Sequence, residues 1–451
     1  MRKIEKRAAV CLLLSLALLL GAGLFAFRFV TSGGKWVSYL STFSGRPASG
    51  RVLDRDGDVL SYVNSDGRRV YYDNPAVRKA TLHAVGDAQG RIGTGALVAF
   101  SDQLSGYNLL TGTYSPLGAG NDLYLTIDAY LNYVAHQAMN GRKGTVAVYN
   151  YETGEVLCMY SAPTFDPADP PAVLDGDPAY DGVYVNRFLG ATYPPGSVFK
   201  LVTLAAAIEN IPDLAGRTFT CTGATVVGGE TITCPSAHGE LDVESALAHS
   251  CNGFFAQLAA ELGPDALAFY AEEAGLTHSY TVSGLSTAKG HFDLTDATAG
   301  QVGWAGVGQY NDLVNPCSLL VYMGAIARGG EAAVPQLVLK TQSALDLPLT
   351  FYLKKKTGRL VEEKTAEKLA DMMANNVQTA YGTGRFPNMD VCAKSGTAEV
   401  GGGKAPHAWF AGFLRGEDTP YAFVVLVENG GSGSDAAGNV AAKVLDALVN
   451  G

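Results

Sequence analysis

A helix is expected to begin within the segment Tyr193-Pro194-Pro195-Gly196-Ser197-Val198-Phe199-Lys200, because Pro-Pro-Gly cannot continue one. Free backbone N–H groups at such a helix start favour negative charge on Ser197. Lys200 lies one turn later and therefore on the same face. A desolvated lysine can take the proton of a serine hydroxyl and make it a nucleophile. A capping serine and a surface lysine fit the same letters, so this segment needs support from the rest of the chain.

Two further short motifs give that support. Ser250-Cys251-Asn252 falls between two predicted helical stretches, and Lys394-Ser395-Gly396-Thr397 lies inside a predicted strand. Each alone also fits a plain structural role, as a break between helices or a strand with a glycine bulge. Together and in this order, Ser-x-x-Lys, Ser-x-Asn and Lys-Ser-Gly-Thr form the set shared by active-site-serine, penicillin-recognising enzymes.

Over nearly its whole length the chain resembles the class B penicillin-binding proteins. The segments that carry the resemblance are Ser49-Gly50-Arg51-Val52-Leu53-Asp54-Arg55-Asp56-Gly57, Leu125-Thr126-Ile127-Asp128, Thr153-Gly154-Glu155-Val156-Leu157, Ser161-Ala162-Pro163-Thr164-Phe165-Asp166-Pro167, Asn186-Arg187-Phe188 and Ala408-Trp409-Phe410-Ala411-Gly412-Phe413. Two positions depart from the family pattern. Ser395 stands where many relatives carry threonine, and Gly308-Gln309-Tyr310 replaces the commoner Gly-Gln-Gly.

The resemblance implies a peptidoglycan D,D-transpeptidase that works through an acyl-enzyme. Lys200 would deprotonate Ser197, whose oxygen attacks the carbonyl between the two terminal D-alanines of a stem peptide. Ser250 would pass a proton to the departing D-alanine, helped by the charge of Lys394. Asn252 would orient the substrate backbone. An amine from a neighbouring stem would then attack the acyl-enzyme and complete the cross-link.

The lysine motif on the strand would bind the end of the substrate. Hydroxyls of Ser395 and Thr397, on either side of Gly396, would hold the terminal carboxylate of the donor. Backbone N–H groups of Ser197 and Thr397 would hold the oxyanion. Beta-lactam antibiotics would acylate the same serine. A serine–lysine mechanism requires neither a cofactor nor a histidine, so His249 and His407 are interpreted as packing and strand-edge residues.

The order of elements predicts an α+β fold, and the resemblance implies that this fold is of the beta-lactamase-like type. Strands at both ends of the catalytic region, with helices between them, imply one mixed sheet with flanking helices and a mostly helical lobe. Asp128 is expected to cap a helix that ends near Met139. Further helices are predicted at 197–209, 243–262, 316–328, 364–379 and 435–449, and strands at 145–149, 155–160, 390–400, 407–415 and 420–428.

The N-terminus predicts a membrane anchor. An uncharged run at 8–27 is long enough to span a hydrocarbon core, and residues 1–7 carry the basic residues Arg2, Lys3, Lys6 and Arg7. These charges favour a cytoplasmic N-terminus, which places the rest of the chain outside a bacterial cell membrane. A cleaved signal peptide is the alternative, but its apolar region is usually shorter. We expect a β-rich pedestal over 28–120 and the transpeptidase domain over 121–451.

Composition narrows the range of partners. The chain has 451 residues, a formal net charge of -10 and no basic patch interleaved with aromatic residues. Nucleic acid is therefore not an expected partner. No segment ahead of the pedestal has room for a glycan-polymerising domain, so a separate membrane glycosyltransferase is the expected partner.

Seven cysteines are an odd, scattered set that does not form a disulfide scaffold. Cys221 and Cys234 flank a predicted hairpin turn, and outside the cytoplasm they can form a disulfide. A zinc site that adds His238 and perhaps His249 is a second interpretation. Unpaired buried thiols are a third.

Two alternative functions remain at this point. A D,D-carboxypeptidase or a beta-lactamase uses the same serine chemistry but transfers the acyl group to water. A catalytically inactive membrane scaffold would retain the fold alone, although it has no chemical need for Ser197, Lys200, Ser250, Asn252 and Lys394 together.

Overall fold

A computed structural model of the protein describes residues 2–43, 50–106, 120–172, 176–343, 346–351 and 354–451. Its strands in chain order are β1 (Val52–Leu53), β2 (Val59–Val63), β3 (Arg69–Tyr71), β4 (Asn121–Leu125), β5 (Gly144–Asn150), β6 (Val156–Ala162), β7 (Phe219–Cys221), β8 (Ala224–Val227), β9 (Glu230–Thr233), β10 (Gly239–Leu241), β11 (Thr281–Val282), β12 (Leu285–Ser286), β13 (Val338–Ser343), β14 (Pro348–Phe351), β15 (Val391–Ala398), β16 (His407–Leu414) and β17 (Tyr421–Val427). Its α-helices are α1 (Arg2–Phe43), α2 (Pro75–Ala80), α3 (Leu82–Val85), α4 (Ala96–Ala99), α5 (Ser101–Ser105), α6 (Ala129–Met139), α7 (Arg187–Gly190), α8 (Lys200–Asn210), α9 (Val243–Ala248), α10 (Asn252–Glu273), α11 (Ala299–Gly306), α12 (Pro316–Ala327), α13 (Glu363–Asn376) and α14 (Gly438–Val449).

The central sheet of the catalytic region has five strands in the order β15-β16-β17-β5-β6. All four pairings are antiparallel. Both faces are covered, because alternate side chains of each strand join different cores. Val146 and Val148 pack with α6 and α14, whereas Ala147 and Tyr149 pack in the core that contains α12. The pairing of β5 with β17 joins segments more than 270 residues apart, so the predicted pairing of distant strands is confirmed.

The helices of the lobe follow the predicted pattern with one informative difference. Asp128 caps α6 as expected, since its carboxylate accepts from the N–H of Leu131 at 2.9 Å. The helix predicted at 243–262 is divided into α9 and α10, because Ser250 between them has a left-handed backbone with φ +53°. α10 then runs on to Glu273 across a non-helical Gly263.

A second, six-stranded sheet has the order β14-β13-β4-β1-β2-β3. This sheet is mixed, because β1 pairs parallel with β4 and antiparallel with β2. β13 pairs antiparallel with β4, so three strands from within the predicted transpeptidase domain, β4, β13 and β14, extend the sheet of the pedestal. The division at residue 120 stays a prediction, and this sheet includes strands from both sides of it.

The N-terminal helix α1 runs from Arg2 to Phe43 and contains the predicted anchor. Its segment Lys6–Phe27 is long and apolar enough to cross a membrane, and it is the one such helix among the described residues. Leucines along it are exposed, as Leu18 at 75% and Leu19 at 71% illustrate. Unburied apolar surface of this length is suited to a hydrocarbon environment.

Candidate active site

Ser197 lies in a single 3-10 turn, Gly196–Val198, directly before α8. Gly196 has φ +55°, and a Cβ there would lie 2.5 Å from the carbonyl oxygen of Thr397. Only glycine fits this position, because it allows both the left-handed backbone and the close approach of strand β15. The neighbouring strand β16 adds a second contact, because the indole N–H of Trp409 donates to the carbonyl of Pro194 at 2.9 Å. The backbone of the candidate nucleophile is thus packed against the strand that bears the lysine motif.

Lys200 is fully buried at the start of α8. Its Nζ donates to the carbonyl of Ser250 at 2.6 Å, to Ser250 Oγ at 3.1 Å and to Asn252 Oδ1 at 2.7 Å. Burial, and then repulsion from Lys394, lowers the pKa of Lys200 well below its usual value. A lysine in this environment can be neutral near physiological pH, as a proton acceptor must be.

The turn Ser250-Cys251-Asn252 presents its polar groups to both lysines. Ser250 Oγ accepts from Lys200 Nζ and, at 3.0 Å, from Lys394 Nζ. Asn252 begins α10 and donates through Nδ2 to the carbonyl of Thr233 at 2.7 Å. A left-handed non-glycine residue is strained, and such strain persists where the surroundings hold it, which is common at functional sites.

Strand β15 supplies the second lysine and two hydroxyls. Lys394 is fully buried and also donates to the carbonyl of Ser395 at 2.9 Å. Burial lowers the pKa of Lys394 to about 7. Ser395 is half-buried and Thr397 is exposed, and residues two apart on a strand share a face. Gly396 approaches the other segment closely, since a Cβ there would lie 3.0 Å from the carbonyl oxygen of Pro195.

The structure brings the predicted residues together with one difference in detail. Lys200, Ser250, Asn252 and Lys394 form one hydrogen-bonded group. Gly196, the residue before Ser197, packs against the carbonyl of Thr397 on the strand that carries Lys394. Among the described residues, the hydrogen bonds of Lys200 Nζ go to the Ser250 turn and none goes to Ser197. Catalytic hydrogen bonds are often loose without substrate and tighten in the complex.

Two residues of the site, Tyr381 and Glu428, and one contact, that of Gly308 with Gly196, were not predicted from the sequence. The hydroxyl of Tyr381 lies 3.0 Å from Ser395 Oγ and accepts from the Ser395 N–H at 2.9 Å. Gly308 accepts from the N–H of Gly196 at 2.9 Å, so the loop that departs from the family pattern contacts the nucleophile turn. Glu428 accepts from the Tyr193 hydroxyl at 2.8 Å and so fixes the segment before that turn. Neither Tyr381 nor Glu428 lies in a recognisable motif.

The disulfide considered for Cys221 and Cys234 is not formed, because all seven cysteines are free thiols. Cys221 ends β7, which pairs with β10 rather than with the hairpin strands β8 and β9. The sulfur of Cys234 instead lies 3.8 Å from that of Cys251. The histidines fit their predicted packing roles. His249 stacks on His238, and His407 starts β16.

A five-stranded antiparallel sheet beside a helical lobe, with one serine and two buried lysines at their junction, defines an active-site-serine enzyme of the penicillin-recognising class. The family model described as the penicillin-binding protein transpeptidase domain matches residues 144–449. The chain belongs to this family, in the class B group that its sequence resembles.

Named relatives extend the similarity beyond the catalytic region. The peptidoglycan D,D-transpeptidase PbpA of Mycolicibacterium smegmatis is 28% identical over 433 residues, which cover 86% of each chain. The PbpA of Mycobacterium tuberculosis is 30% identical over 68% of this chain and 66% of its own. A solved ceftriaxone acyl-enzyme complex of M. tuberculosis penicillin-binding protein A is 25% identical, with a TM-score of 0.79 over 89% of this chain and 98% of that one.

A further solved structure points the same way. The D,D-transpeptidase domain of a peptidoglycan glycosyltransferase from Eggerthella lenta is 28% identical, with a TM-score of 0.78. The similarity covers 89% of this chain and 98% of that domain.

Proposed function

We propose that the protein is a membrane-anchored peptidoglycan D,D-transpeptidase that forms an acyl-enzyme on Ser197. The observation that carries the proposal is the position of Ser250 Oγ, which accepts hydrogen bonds from both Lys200 and Lys394. A plain structural serine has no need of two buried lysines, whose desolvation is costly. The names of the relatives, and the acyl-enzyme complexes of one of them, support the same activity.

Acylation would proceed by a proton transfer and a nucleophilic attack. Neutral Lys200 takes the Ser197 proton, and the serine oxygen forms a bond to the carbonyl carbon between the two terminal D-alanines. Backbone N–H groups of Ser197 and Thr397 hold the oxyanion, each donor being worth about 3 kcal/mol. The C–N bond then breaks, and Ser250 gives the departing amine of D-alanine its proton. Ser250 in turn receives from Lys200 the proton that came from Ser197, along the hydrogen bond from Lys200 Nζ to Ser250 Oγ. Lys394 assists, because its hydrogen bond makes the Ser250 hydroxyl a better donor.

Substrate binding would use the open side of strand β15. The Ser395 and Thr397 hydroxyls would bind the terminal carboxylate of the donor peptide, and Asn252 would hold its backbone. Tyr381 acts as a positioning residue in this scheme, because its hydroxyl holds both the N–H and the hydroxyl of Ser395. The amine of an acceptor stem then attacks the ester carbonyl and releases Ser197.

The Ser197→Ala variant tests the nucleophile directly. Covalent labelling by a fluorescent penicillin is expected to disappear in Ser197→Ala and to fall at least about a hundredfold in Lys200→Ala, because the base is lost. Ser286→Ala, on the distant short strand β12, is the matched control and should label normally. Persistent labelling of Ser197→Ala would refute the assignment.

Product analysis distinguishes the transpeptidase from its alternatives. With a donor pentapeptide and an acceptor stem, the proposal expects a cross-linked product together with free D-alanine. D-alanine release without cross-link would indicate a carboxypeptidase, and rapid turnover of penicillin would indicate a beta-lactamase. Absence of any adduct in the wild-type protein would indicate a scaffold.

Orientation and partnership belong to the same proposal. The basic residues ahead of the apolar segment Lys6–Phe27 support a cytoplasmic N-terminus and an extracytoplasmic catalytic region. Fusing reporter enzymes to either end would test this orientation. Stem peptides are presented on glycan strands, so a glycan-polymerising enzyme must supply the substrate. We expect crosslinking in membranes to capture a glycosyltransferase, and its reproducible absence would count against the partnership.

A further inference from the structure

A cluster of soft metal ligands lies directly behind the Ser250 turn. Cys221, Cys234, His238 and Cys251 place three sulfurs and one imidazole nitrogen within 4.8 Å of one another. Cys221 and Cys251 are buried, whereas Cys234 and His238 are half-buried. The four residues come from separate elements: the end of β7, the residue after β9, the segment before β10 and the cap of α10. None of them has a role in the serine–lysine chemistry.

The distances fit a tetrahedral metal better than a disulfide. Two thiolates on one zinc ion lie about 3.8 Å apart, given a Zn–S bond of about 2.3 Å. Cys234 Sγ and Cys251 Sγ are separated by 3.8 Å. Disulfide sulfurs are about 2 Å apart, so this pair is not arranged as a bond.

The surroundings of Cys234 favour the thiolate that a metal requires. Its sulfur accepts from the backbone N–H groups of Asn252 at 3.2 Å and Gly253 at 3.4 Å. These are the free N–H groups at the start of α10, where the helix dipole favours negative charge.

His238 supplies an independent indication. Its Nδ1 is buried and has no hydrogen-bond partner in the described part of the chain. A buried polar atom without a partner is costly and calls for an explanation such as an ion. A metal among the three sulfurs would supply that explanation.

We propose that Cys221, Cys234, His238 and Cys251 bind one zinc ion in a closed structural site. Three thiolates and one imidazole are a known structural zinc set, and soft sulfur ligands select zinc over magnesium or calcium. Binding would release the proton of each cysteine that is still a thiol and leave four protein ligands with no open position, so the ion has no place for substrate. The sequence suggested the first three residues, and the fold adds Cys251 in place of His249.

The site would position the catalytic turn, a role that rests on the proposed function. Cys251 lies between Ser250 and Asn252, both of which bind Lys200. A zinc ion on Cys251 would tie this left-handed turn to the end of β7 through Cys221 and to the residue after β9 through Cys234. It would also keep the thiols from oxidising outside the cytoplasm, where disulfides can form.

Metal content of the full chain in detergent is the first test. We expect one equivalent of zinc per chain by elemental analysis, and cobalt substitution should give the visible spectrum of a tetrahedral thiolate site. Bound zinc should fall to a small fraction in Cys221→Ala and in His238→Ala. Cys158→Ala, which removes a buried thiol on β6, is the matched control and should keep the full equivalent.

A rescue variant separates zinc from general folding effects. His238→Ala should lose bound zinc and slow penicillin acylation while its circular dichroism stays native. His238→Cys completes a four-cysteine set, so it should bind zinc and acylate at the wild-type rate. If the proposed function fails, no variant is acylated but the zinc content is unchanged. The proposal is overturned if the wild-type protein binds no zinc when it is supplied, with either three free thiols or a Cys234–Cys251 disulfide by mass spectrometry.

Discussion

Two lysine ammonium groups are buried around one serine hydroxyl, and their proton affinities depend on each other. Lys200 and Lys394 both lie within hydrogen-bond distance of Ser250 Oγ, and both are fully buried. Burial disfavours the charged form, and repulsion disfavours a second charge still further. The pKa of Lys394 falls to about 7, and that of Lys200 also falls well below its usual value. Neutral lysine is thereby available without a histidine or a metal.

The pH dependence of acylation tests this coupling. Protonated Lys200 cannot accept the Ser197 proton, so the acylation rate should rise with pH as Lys200 loses its own proton. Replacing Lys394 by methionine removes the repulsion that adds to burial in lowering the pKa of Lys200. The acid limb of the pH–rate profile should therefore move to higher pH. The rate of acylation by a chromogenic beta-lactam, measured across the pH range, gives the position of this acid limb.

Lys404→Met is the control for that experiment, because Lys404 is an exposed lysine between β15 and β16. Its acid limb should coincide with that of the wild-type protein. An unchanged limb in Lys394→Met would show that Lys394 does not influence the general base.

At the scale of elements, the site depends on backbone contacts that side chains would prevent. The nucleophile turn before α8 is held between β15 and the loop that follows α11. Gly196 faces the carbonyl of Thr397, and Gly308 faces the carbonyl of Gly196. Both glycines have positive φ, so they meet two requirements at once.

Gly308→Ala is therefore expected to impair acylation more than stability. An added Cβ would overlap the carbonyl oxygen of Gly196 and displace the turn that carries Ser197. We expect the acylation rate to fall at least about tenfold, because small displacements at a reacting group are costly. Stopped-flow acylation and thermal unfolding, measured on the same preparation, separate the two effects.

Gly401→Ala is the matched control, with φ +68° and open space around the new Cβ. It should lose only about 1 kcal/mol of unfolding free energy to backbone strain and keep its acylation rate. Equal acylation by the two alanine variants would contradict the proposed role of the contact at Gly308.

At the scale of the whole molecule, both sheets join distant parts of the chain. The five-stranded sheet combines β5 and β6 with β15 to β17, and the six-stranded sheet combines β1 to β4 with β13 and β14. After α1, the described part of the chain resumes at Gly50, whose N–H donates to the carbonyl of Leu104 at 3.1 Å. Helix α1 precedes that point and carries the candidate membrane span.

Deleting residues 1–43 should leave acylation unchanged while releasing the protein from membranes. The deletion removes α1 but retains Gly50 and β1, so both sheets keep their strands. Acylation rates and membrane partition of the truncated protein measure the two effects, and wall synthesis in cells should be lost. A deletion that continues through Leu53 removes β1 and should unfold the pedestal sheet. Loss of acylation in the shorter deletion would contradict this division of roles.

Local chemistry already determined much of this architecture. Asp128 as a helix cap, the alternation of Val146 and Val148, and the apolar run before Phe27 are properties of neighbouring residues, so they could be read from the sequence. The three catalytic motifs were recognised for the same reason, since each is a short run of adjacent residues. Their common site followed from the family resemblance rather than from any spacing.

Contacts between distant segments were decided by folding alone. Tyr381 beside Ser395, Gly308 against Gly196, and Cys251 among Cys221, Cys234 and His238 leave no local pattern. Strands β13 and β14 joined the pedestal sheet for a similar reason, because strand pairing depends on which edge is free in three dimensions. Propensity and periodicity act over one or two turns, whereas a site is built by packing that brings remote residues within a few ångströms.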